Sequence, residues 1–251
     1  MHKSKTILIT GGAKRVGRVL CMELAHKGHE IVVHFNSAHD EAQSLVQEIR
    51  RSGLLAHCIG RDLSKDPSAL ISSAEGLVGS VDCVINNASL FQYDDVDSFT
   101  LESLQSHMQV NFMAPIALQM ALMHSKKSRG ETGQVIHVLD QKLINPNIDY
   151  FSYTLSREAL FSSLRFSAMA CAPTLRINAL LPGHMFPSEG MSESEFKRIQ
   201  AVAALGKSNS AEDLARAAHY FIEASSVTGQ WLAVDGGCHL IPSLRDVAFK
   251  G

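Results

Sequence analysis

Short runs of β-branched residues alternate along the chain with longer amphipathic stretches, and this alternation constrains the fold more than any other feature. Such a pattern is typical of a parallel β-sheet with helices on both faces. About seven strands are predicted, near residues 6–10, 30–35, 54–59, 81–86, 134–139, 174–180 and 231–234. Helices are predicted between them, over approximately 15–27, 40–51, 67–77, 101–125, 151–169 and 211–224, with another around 193–204.

The length of 251 residues suits one α/β domain, so we expect residues 1–251 to form a single doubly wound unit. Hydrophobic residues make up 45% of the chain, which is enough for a large buried core. Lys and Arg number 23 against 25 Asp and Glu, a net charge of -2. This balance creates no field that attracts nucleic acid or an anionic membrane, and it favours a small-molecule partner.

The cellular compartment is predicted from what the chain does not contain. Its first apolar run is too short for a secretion signal, and no segment is apolar over the length that a membrane span requires. The 5 cysteines form no C-x-x-C pair and are expected to be reduced, and the 12 histidines show no metal-ligand spacing. We therefore expect a cytoplasmic protein with no metal site.

A glycine-containing loop, residues 10–17 with the sequence TGGAKRVG, follows the first strand and leads directly into a helix. Backbone N–H groups and the helix dipole at such a loop suit a pyrophosphate. Arg18 and Val19 stand where a P-loop needs Lys and Ser or Thr, and a strict G-x-G-x-x-G is also missing. A purely structural strand-to-helix turn is the alternative interpretation.

The end of the second strand, residues 34–37 with the sequence HFNS, indicates which dinucleotide is bound. Folds that bind NAD usually place an acid about 20 residues after the loop to hold the ribose diol, and none stands here. Lys14 and Arg15 offer the cations that an NADP 2′-phosphate requires. NADP(H) is therefore favoured, with His34, Asn36 and Ser37 as further cofactor-binding candidates, although Lys14 and Arg15 also fit a solvated basic pair.

Several motifs in order along essentially the whole chain resemble the short-chain dehydrogenase/reductase family. They are the T-G-x-x-x-x-x-G spacing of residues 10–17, Asp62-Leu63, the NNAS of residues 86–89, Asn111, Asn178, Pro182-Gly183, and the closing segments 228–230 and 234–237. The resemblance implies a Rossmann fold, an oxidoreductase and a homotetramer. By the same resemblance, the cofactor contacts are Gly11, Lys14, Arg15, Val16, Gly17, Asp62, Leu63, Asn87, Ala88, Ser89, Pro182 and Gly183.

The family's catalytic Y-x-x-x-K motif corresponds to Tyr153 and Arg157, which lie four apart and therefore on one face of a helix. A tyrosine with an ordinary pKa of about 10 is a poor proton donor near neutrality unless a cation lowers that pKa. We expect the Arg157 guanidinium to supply this charge. Arginine is bulkier than lysine and is effectively never deprotonated, which departs from the family pattern. The resemblance also assigns Asn111 a water-holding, proton-relay role.

Asp140 stands 13 residues before Tyr153, where the family usually has serine. A carboxyl group there can assist protonation of a ring nitrogen or accept from an amino heterocycle. With the loop arginine and the aromatic Phe91 after Asn-Ala-Ser, this resembles the pteridine reductase and dihydromonapterin reductase branch. The resemblance implies that Phe91 stacks on a pterin and that Arg15 contacts both phosphate and pterin. A hydrophobic plug at Phe91 and a turn or N-cap role for Asp140 are the alternatives.

These residues predict an NADPH-dependent reductase that transfers hydride to a C=N bond, most readily that of a reduced pterin. Asn111, Asp140, Tyr153 and Arg157 are its predicted catalytic residues. A carbonyl or 3-oxoacyl reductase of the same family is one alternative, because one fold hosts many substrates. A catalytically weak NADP(H)-binding regulatory protein is another, suggested by Arg157. Residues 182–194, rich in Pro, Gly and Ser, are predicted to be a mobile insertion that could act as a lid.

Overall fold

The computed structural model describes residues 4–187, 190–206 and 209–249. Within them, seven parallel strands form one sheet in the order β3-β2-β1-β4-β5-β6-β7. The strands are β1 Thr6–Ile9, β2 Glu30–Phe35, β3 Ala56–Gly60, β4 Cys83–Asn86, β5 Gly133–Val138, β6 Leu175–Pro182 and β7 Trp231–Val234. The helices are α1 Arg15–His26, α2 His39–Arg51, α3 Ala69–Val78, α4 Leu101–Met108, α5 Ala114–Arg129, α6 Phe151–Cys171, α7 Glu193–Ala201 and α8 Ala211–Glu223. The predicted single-domain, doubly wound α/β fold is confirmed.

The sheet separates two apolar layers, because successive side chains of each strand point to opposite faces. Ile7 and Ile9 of β1 belong to the layer covered by α1, α2 and α8, whereas Leu8 belongs to the layer covered by α3, α5 and α6. All four residues of β1 and of β4 are buried. The central strands therefore read as continuous apolar runs, as expected for a parallel sheet buried on both faces.

The predicted helix over residues 101–125 is helical throughout its length, but it is not one continuous α-helix. A wide π-turn, Gln109–Met113, joins α4 to α5. Pro115 has no N–H to donate to the carbonyl four residues earlier, so the regular α pattern cannot pass through this point. The turn carries Asn111, which is fully buried.

Helix ends follow local chemistry. Thr100 caps α4, and Ser192 and Ser210 begin α7 and α8 with reciprocal capping boxes. α5 ends at Gly130 in the left-handed conformation (φ 67°). All five cysteines are free thiols. In the described part of the chain, no helix has the length and apolar character needed to cross a bilayer.

The direction in which strands are added to the sheet reverses between β1 and β4. Strands β2 and β3 extend the sheet from β1 toward one edge, and β5, β6 and β7 extend it from β4 toward the other. In open α/β sheets, the crevice at the carboxyl ends of such strands is the ligand site. The loop after β1 and the segment after β4 meet there. The fold thus brings the predicted cofactor loop beside residues 87–91.

Candidate active site

The glycine loop requires small residues for geometric reasons. Gly11 has a φ of +61°, in the left-handed region that glycine adopts without strain. A Cβ on Gly17 would lie 2.1 Å from the Gly11 carbonyl oxygen, so the first turn of α1 can approach the loop only without a side chain. Arg15, which is not a glycine, also has a positive φ, of 49°, at a cost of about 1–2 kcal/mol.

A buried polar group supports this loop from β2. The His34 Nδ1 accepts from the Gly11 N–H at 3.2 Å, and its Nε2 donates to the Arg61 carbonyl oxygen at 2.9 Å. Burial lowers the pKa of His34 to about 4, so the ring is neutral at physiological pH. From the other side, the Asn87 Nδ2 donates to the Thr10 carbonyl oxygen at 3.0 Å. The His34 ring therefore holds the loop in place.

Two adjoining cavities open at this edge of the sheet, with volumes of about 600 Å³ and 310 Å³. The first is lined by predicted cofactor residues: Gly11, Lys14, Arg15, Val16, Gly17, His34, Asn36, Ser37, Asp62, Leu63, Asn87, Ala88 and Ser89. The second is lined by Asp140, Tyr153, Arg157, Pro182 and Gly183. Phe91, Arg15, Val16, Asn87 and Ser89 line both. The structure brings together every predicted site residue except Asn111, which lies behind the wall.

Two charged residues that line the larger cavity, Lys14 and Asp62, make contacts at the protein surface. The Lys14 Nζ lies 2.6 Å from the Glu41 Oε1, and both side chains are about half exposed. The Asp62 Oδ1 accepts from the main-chain N–H of Ser64 at 2.9 Å and from its hydroxyl at 2.6 Å. Exposed ion pairs contribute little free energy, so Lys14 can exchange Glu41 for another anion.

Arg15 is exposed to solvent and lines both cavities. Its Nη1 donates to the Pro187 carbonyl oxygen at 3.0 Å, and its guanidinium lies 5.5 Å from the centre of the Phe186 ring. These contacts join the glycine loop to the segment after β6. Of the predicted mobile insertion 182–194, residues 188 and 189 lie outside the described residues, and its mobility stays a prediction.

Asp140 and Tyr153 form a hydrogen-bonded pair in the lining of the smaller cavity. The Tyr153 hydroxyl donates to the Asp140 Oδ2 at 2.9 Å, and the Asp140 Oδ1 accepts from the Lys142 N–H at 2.8 Å, capping a short 3-10 turn. The N-cap role considered for Asp140 is thus real and coexists with a second contact. The Asp140 carboxylate therefore caps the turn and also accepts a hydrogen bond from the Tyr153 hydroxyl.

The expected lowering of the Tyr153 pKa is wrong. Burial and the Asp140 carboxylate raise the pKa of Tyr153 well above its ordinary value, and the positive charge of Arg157 opposes them without prevailing. The phenol therefore carries its proton throughout the neutral range. The Arg157 charge is evident from the sequence, but the burial of the Tyr153 hydroxyl away from water depends on the folded structure.

Arg157 is buried, with only 3% of its surface exposed, and its guanidinium lies 5.5 Å from the centre of the Tyr153 ring. Its Nε and Nη1 atoms find no hydrogen-bond partner among the described residues. A buried guanidinium with unsatisfied donors is costly for stability. Such a group is well placed to interact with a ligand in the adjoining cavity.

The Asn111 side chain joins the segment after β4 to α6. Its Oδ1 accepts from the Leu90 N–H at 2.8 Å, and its Nδ2 donates to the Leu90 carbonyl oxygen at 2.9 Å and to the Ser156 hydroxyl at 3.0 Å. The amide is therefore engaged with the protein and positions residues 87–91. A proton-relay role for Asn111 stays a prediction.

Phe91 is half exposed but one of its faces is covered. Tyr150 stacks on it with ring centres 4.3 Å apart and planes 18° from parallel, while Tyr153 meets it edge-on at 4.7 Å. The hydrophobic-plug interpretation does not suit a ring that is 50% exposed at the junction of two cavities. A planar ligand on the stacked side has to displace Tyr150.

Several residues of the smaller cavity were not predicted as site residues: Lys142, Tyr150, Asp246 and Val247. Lys142 and Tyr150 flank predicted residues in the sequence, and this proximity is a weak signal. Asp246 and Val247 lie near the end of the chain, outside every motif, so no sequence pattern points to them.

At the opposite edge of the sheet, ligand atoms of His29, His219 and Glu223 lie within 4.8 Å of one another. The His29 Nδ1 accepts from the Lys5 N–H at 3.3 Å, so the ring proton of the neutral form resides on Nε2, which faces the His219 Nδ1 at 3.4 Å. A protonated Nε2 cannot be a metal ligand. We assign no metal to this cluster.

Comparison with known proteins shows the family of the chain. The profile of the short chain dehydrogenase family matches residues 5–198. The NADP complex of FolM alternative dihydrofolate reductase 1 from Brucella suis has a TM-score of 0.90 and 34% identity, covering 94% of this chain and 95% of that one. The corresponding Brucella canis complex has a TM-score of 0.88 and 33% identity, covering 94% of each chain.

Curated relatives are more distant and more varied in their substrates. A dihydromonapterin reductase from Enterobacter sp. is 27% identical, covering 93% of this chain and 96% of the relative. A 3beta-hydroxysteroid dehydrogenase from Eggerthella lenta is 28% identical, with 97% of each chain covered. The resemblance to the pterin-reducing branch is confirmed at the level of relatives and structural neighbours. With its family profile, its parallel sheet and its glycine loop, the chain belongs to the short-chain dehydrogenase/reductase family of oxidoreductase enzymes.

Proposed function

We propose that the protein is an NADPH-dependent reductase of a reduced pterin. The observation that carries the proposal is the pairing of the Tyr153 hydroxyl with the Asp140 carboxylate, beside the half-exposed Phe91 ring. A carboxylate at this position repels the oxyanion that forms from a ketone, but it suits a ring nitrogen that must receive a proton. The carbonyl and 3-oxoacyl alternative is therefore less favoured.

The residues around the larger cavity fit a dinucleotide phosphate. Gly11 and Gly17 allow close backbone approach at the start of α1, and Lys14 stands at the mouth of the cavity. Asn36 and Ser37 follow β2 without a carboxylate that would repel a 2′-phosphate. The NADP complexes of the two Brucella proteins support the same cofactor here.

The proposed reaction adds a hydride and a proton across a C=N bond. NADPH, when bound, supplies the hydride to the carbon. The Tyr153 hydroxyl, which donates to Asp140 in the structure, turns its proton to the nitrogen as that atom gains the electron pair of the double bond. Arg157 stabilises the negative charge that develops on the phenolate. Phe91 provides an aromatic face for a planar heterocycle, and Arg15 joins both cavities.

The direct test is oxidation of NADPH, followed at its absorbance band, with dihydrobiopterin and dihydromonapterin as substrates. Turnover of either, with weaker activity on a panel of ketones and 3-oxoacyl compounds, is the expected result. Turnover of the carbonyl panel alone contradicts the pterin assignment. Tight NADPH binding without turnover of any substrate favours the regulatory alternative.

Replacing Asp140 with asparagine tests the pair through its pH dependence. Asparagine keeps the N-cap, but it removes the negative charge that helps to raise the pKa of Tyr153. Because the protonated phenol is the donor, we expect the alkaline fall of kcat to move to lower pH in Asp140→Asn. A kcat profile between about pH 6 and 11 tests this: the wild type, in which the Tyr153 pKa lies above the ordinary value of about 10, should keep its kcat over most of this range, and the variant should lose it at lower pH. The exposed Asp97→Asn is the control, and identical profiles for all three proteins would argue against the pair.

We further propose a cytoplasmic homotetramer. The support is the outer face of α6, where Phe166 and Met169 are 73% and 78% exposed. Contiguous exposed apolar side chains of this size commonly mark an interface between subunits. Light scattering that finds only the monomer mass at micromolar concentration would reject the assembly.

A further inference from the structure

We propose that the C-terminal segment, residues 241–249, forms a wall of the substrate cavity, and that Asp246 selects heterocycles whose edge presents N–H groups. This proposal rests on the proposed function, because it concerns the same cavity. It assigns a specificity-determining residue to a segment that lies outside every motif of the chain.

The segment is held by a buried carboxylate. Asp149 is 1% exposed and accepts four hydrogen bonds from two consecutive residues. The Arg245 Nε lies 3.1 Å and 3.0 Å from its two oxygens, the Arg245 Nη2 lies 2.8 Å from Oδ1, and the Asp246 N–H donates to Oδ2 at 2.6 Å. A guanidinium that contacts both oxygens of a carboxylate fixes the relative orientation of the two side chains as well as the distance between them. The backbone of Asp246 therefore has a defined position.

Further contacts tie the segment along its length. The Asn145 Nδ2 donates to the Ile241 carbonyl oxygen at 3.0 Å. The Phe249 ring lies 5.1 Å from Tyr93 and 6.2 Å from Tyr150, and the Arg245 guanidinium lies 5.2 Å from its centre. The segment thus packs against Tyr150, the ring that stacks on Phe91.

This anchoring places Asp246 in the lining of the cavity that contains the catalytic pair. Asp246 and Val247 line the cavity that contains Asp140 and Tyr153. The Asp246 carboxylate is the strongest of the negative charges that act on Lys142, where it opposes the lowering of the Lys142 pKa by burial. The Lys142 Nζ itself donates to the Asn147 Oδ1 at 2.5 Å and to the Asp149 carbonyl oxygen. Asp140 and Asp246 therefore both line the cavity.

The charge on Asp246 gives the cavity a chemical preference. An ionised carboxylate only accepts hydrogen bonds. A 2-amino-4-oxo pyrimidine edge presents a ring N–H beside an amino N–H, a pair of donors that matches two carboxylate oxygens. A 2,4-dioxo edge places a carbonyl oxygen where the amino group would be, and two acceptors then face each other. We therefore expect selection of 2-amino heterocycles over their 2-oxo analogues.

The test compares two dihydropteridines that differ only at C2, one with an amino group and one with an oxo group. Dissociation constants are measured by calorimetry in the presence of NADP⁺, and kcat and KM are measured with NADPH. The wild-type protein should prefer the 2-amino compound. Asp246→Asn should reduce that preference by roughly 10- to 100-fold, mainly through weaker binding and a higher KM, with the affinity for NADPH unchanged.

Two conservative variants make it possible to separate a loss of selectivity from a loss of folding. Asp246→Asn is isosteric, and Arg245→Lys replaces the forked contact with a point charge, so it should reduce the same preference by a smaller factor. Asp97→Asn is the matched surface control. An undiminished preference in Asp246→Asn overturns the proposal, even if pterins are turned over. A 2-amino preference in binding that Asp246→Asn removes, without turnover by the wild type, contradicts the proposed function and supports Asp246 as the selector.

Discussion

Tyr153→Phe is expected to lower kcat for dihydropterin reduction by about 10²- to 10⁴-fold, the range that one general acid contributes. The hydroxyl is the only atom removed, and it is the atom that donates to Asp140 at 2.9 Å. The raised pKa of Tyr153 keeps the phenol protonated near neutrality, and the Arg157 charge, which lowers that pKa, favours release of the proton in the reaction. Steady-state kinetics near pH 7 measures the effect.

The same substitution should leave the cofactor site intact. We expect an unchanged dissociation constant for NADPH and a change in the free energy of unfolding of about 1 kcal/mol, the ordinary value of one hydrogen bond. Tyr220→Phe, which removes an exposed hydroxyl from α8, is the matched control. If Tyr153→Phe retained kcat within a factor of about three, Tyr153 would not be the proton donor.

Arg157→Met is expected to change activity and stability in opposite directions. Methionine removes the positive charge beside Tyr153 and keeps most of the side-chain volume. Without that charge the phenolate is less stable, and we expect kcat/KM to fall by about 10²-fold. Yet Nε and Nη1 have no partner among the described residues, so removing the guanidinium should raise the free energy of unfolding by roughly 1–4 kcal/mol.

Kinetics and thermal unfolding of the cofactor-free protein measure both effects. Arg165→Met, which removes an exposed charge from the same helix, is the control and should change neither quantity. A lower melting temperature together with unchanged kcat/KM would mean that Arg157 is a structural residue. Arg157→Lys adds a further comparison: activity appearing only in that variant would support the regulatory alternative.

The sequence by itself determined the features that depend on local chemistry. Alternating β-branched runs predicted the parallel sheet, and the glycine spacing predicted a loop with Gly11 before α1 and Gly17 in its first turn, because strand and turn geometry are set by neighbouring residues. Residue identities also brought Asp140, Tyr153 and Phe91 to one cavity, since the carboxyl ends of parallel strands meet at one edge.

Only the tertiary structure decided the electrostatics and the limits of the cavity. Tyr153 has a raised pKa because burial and Asp140 together outweigh the Arg157 charge, and desolvation depends on every atom that excludes water. Asp246 lines the cavity because its backbone N–H is hydrogen-bonded to the Asp149 carboxylate, and these two residues are far apart along the chain. Periodicity and motifs carry no information about such pairs, because they describe neighbours in sequence and these groups are neighbours only in space.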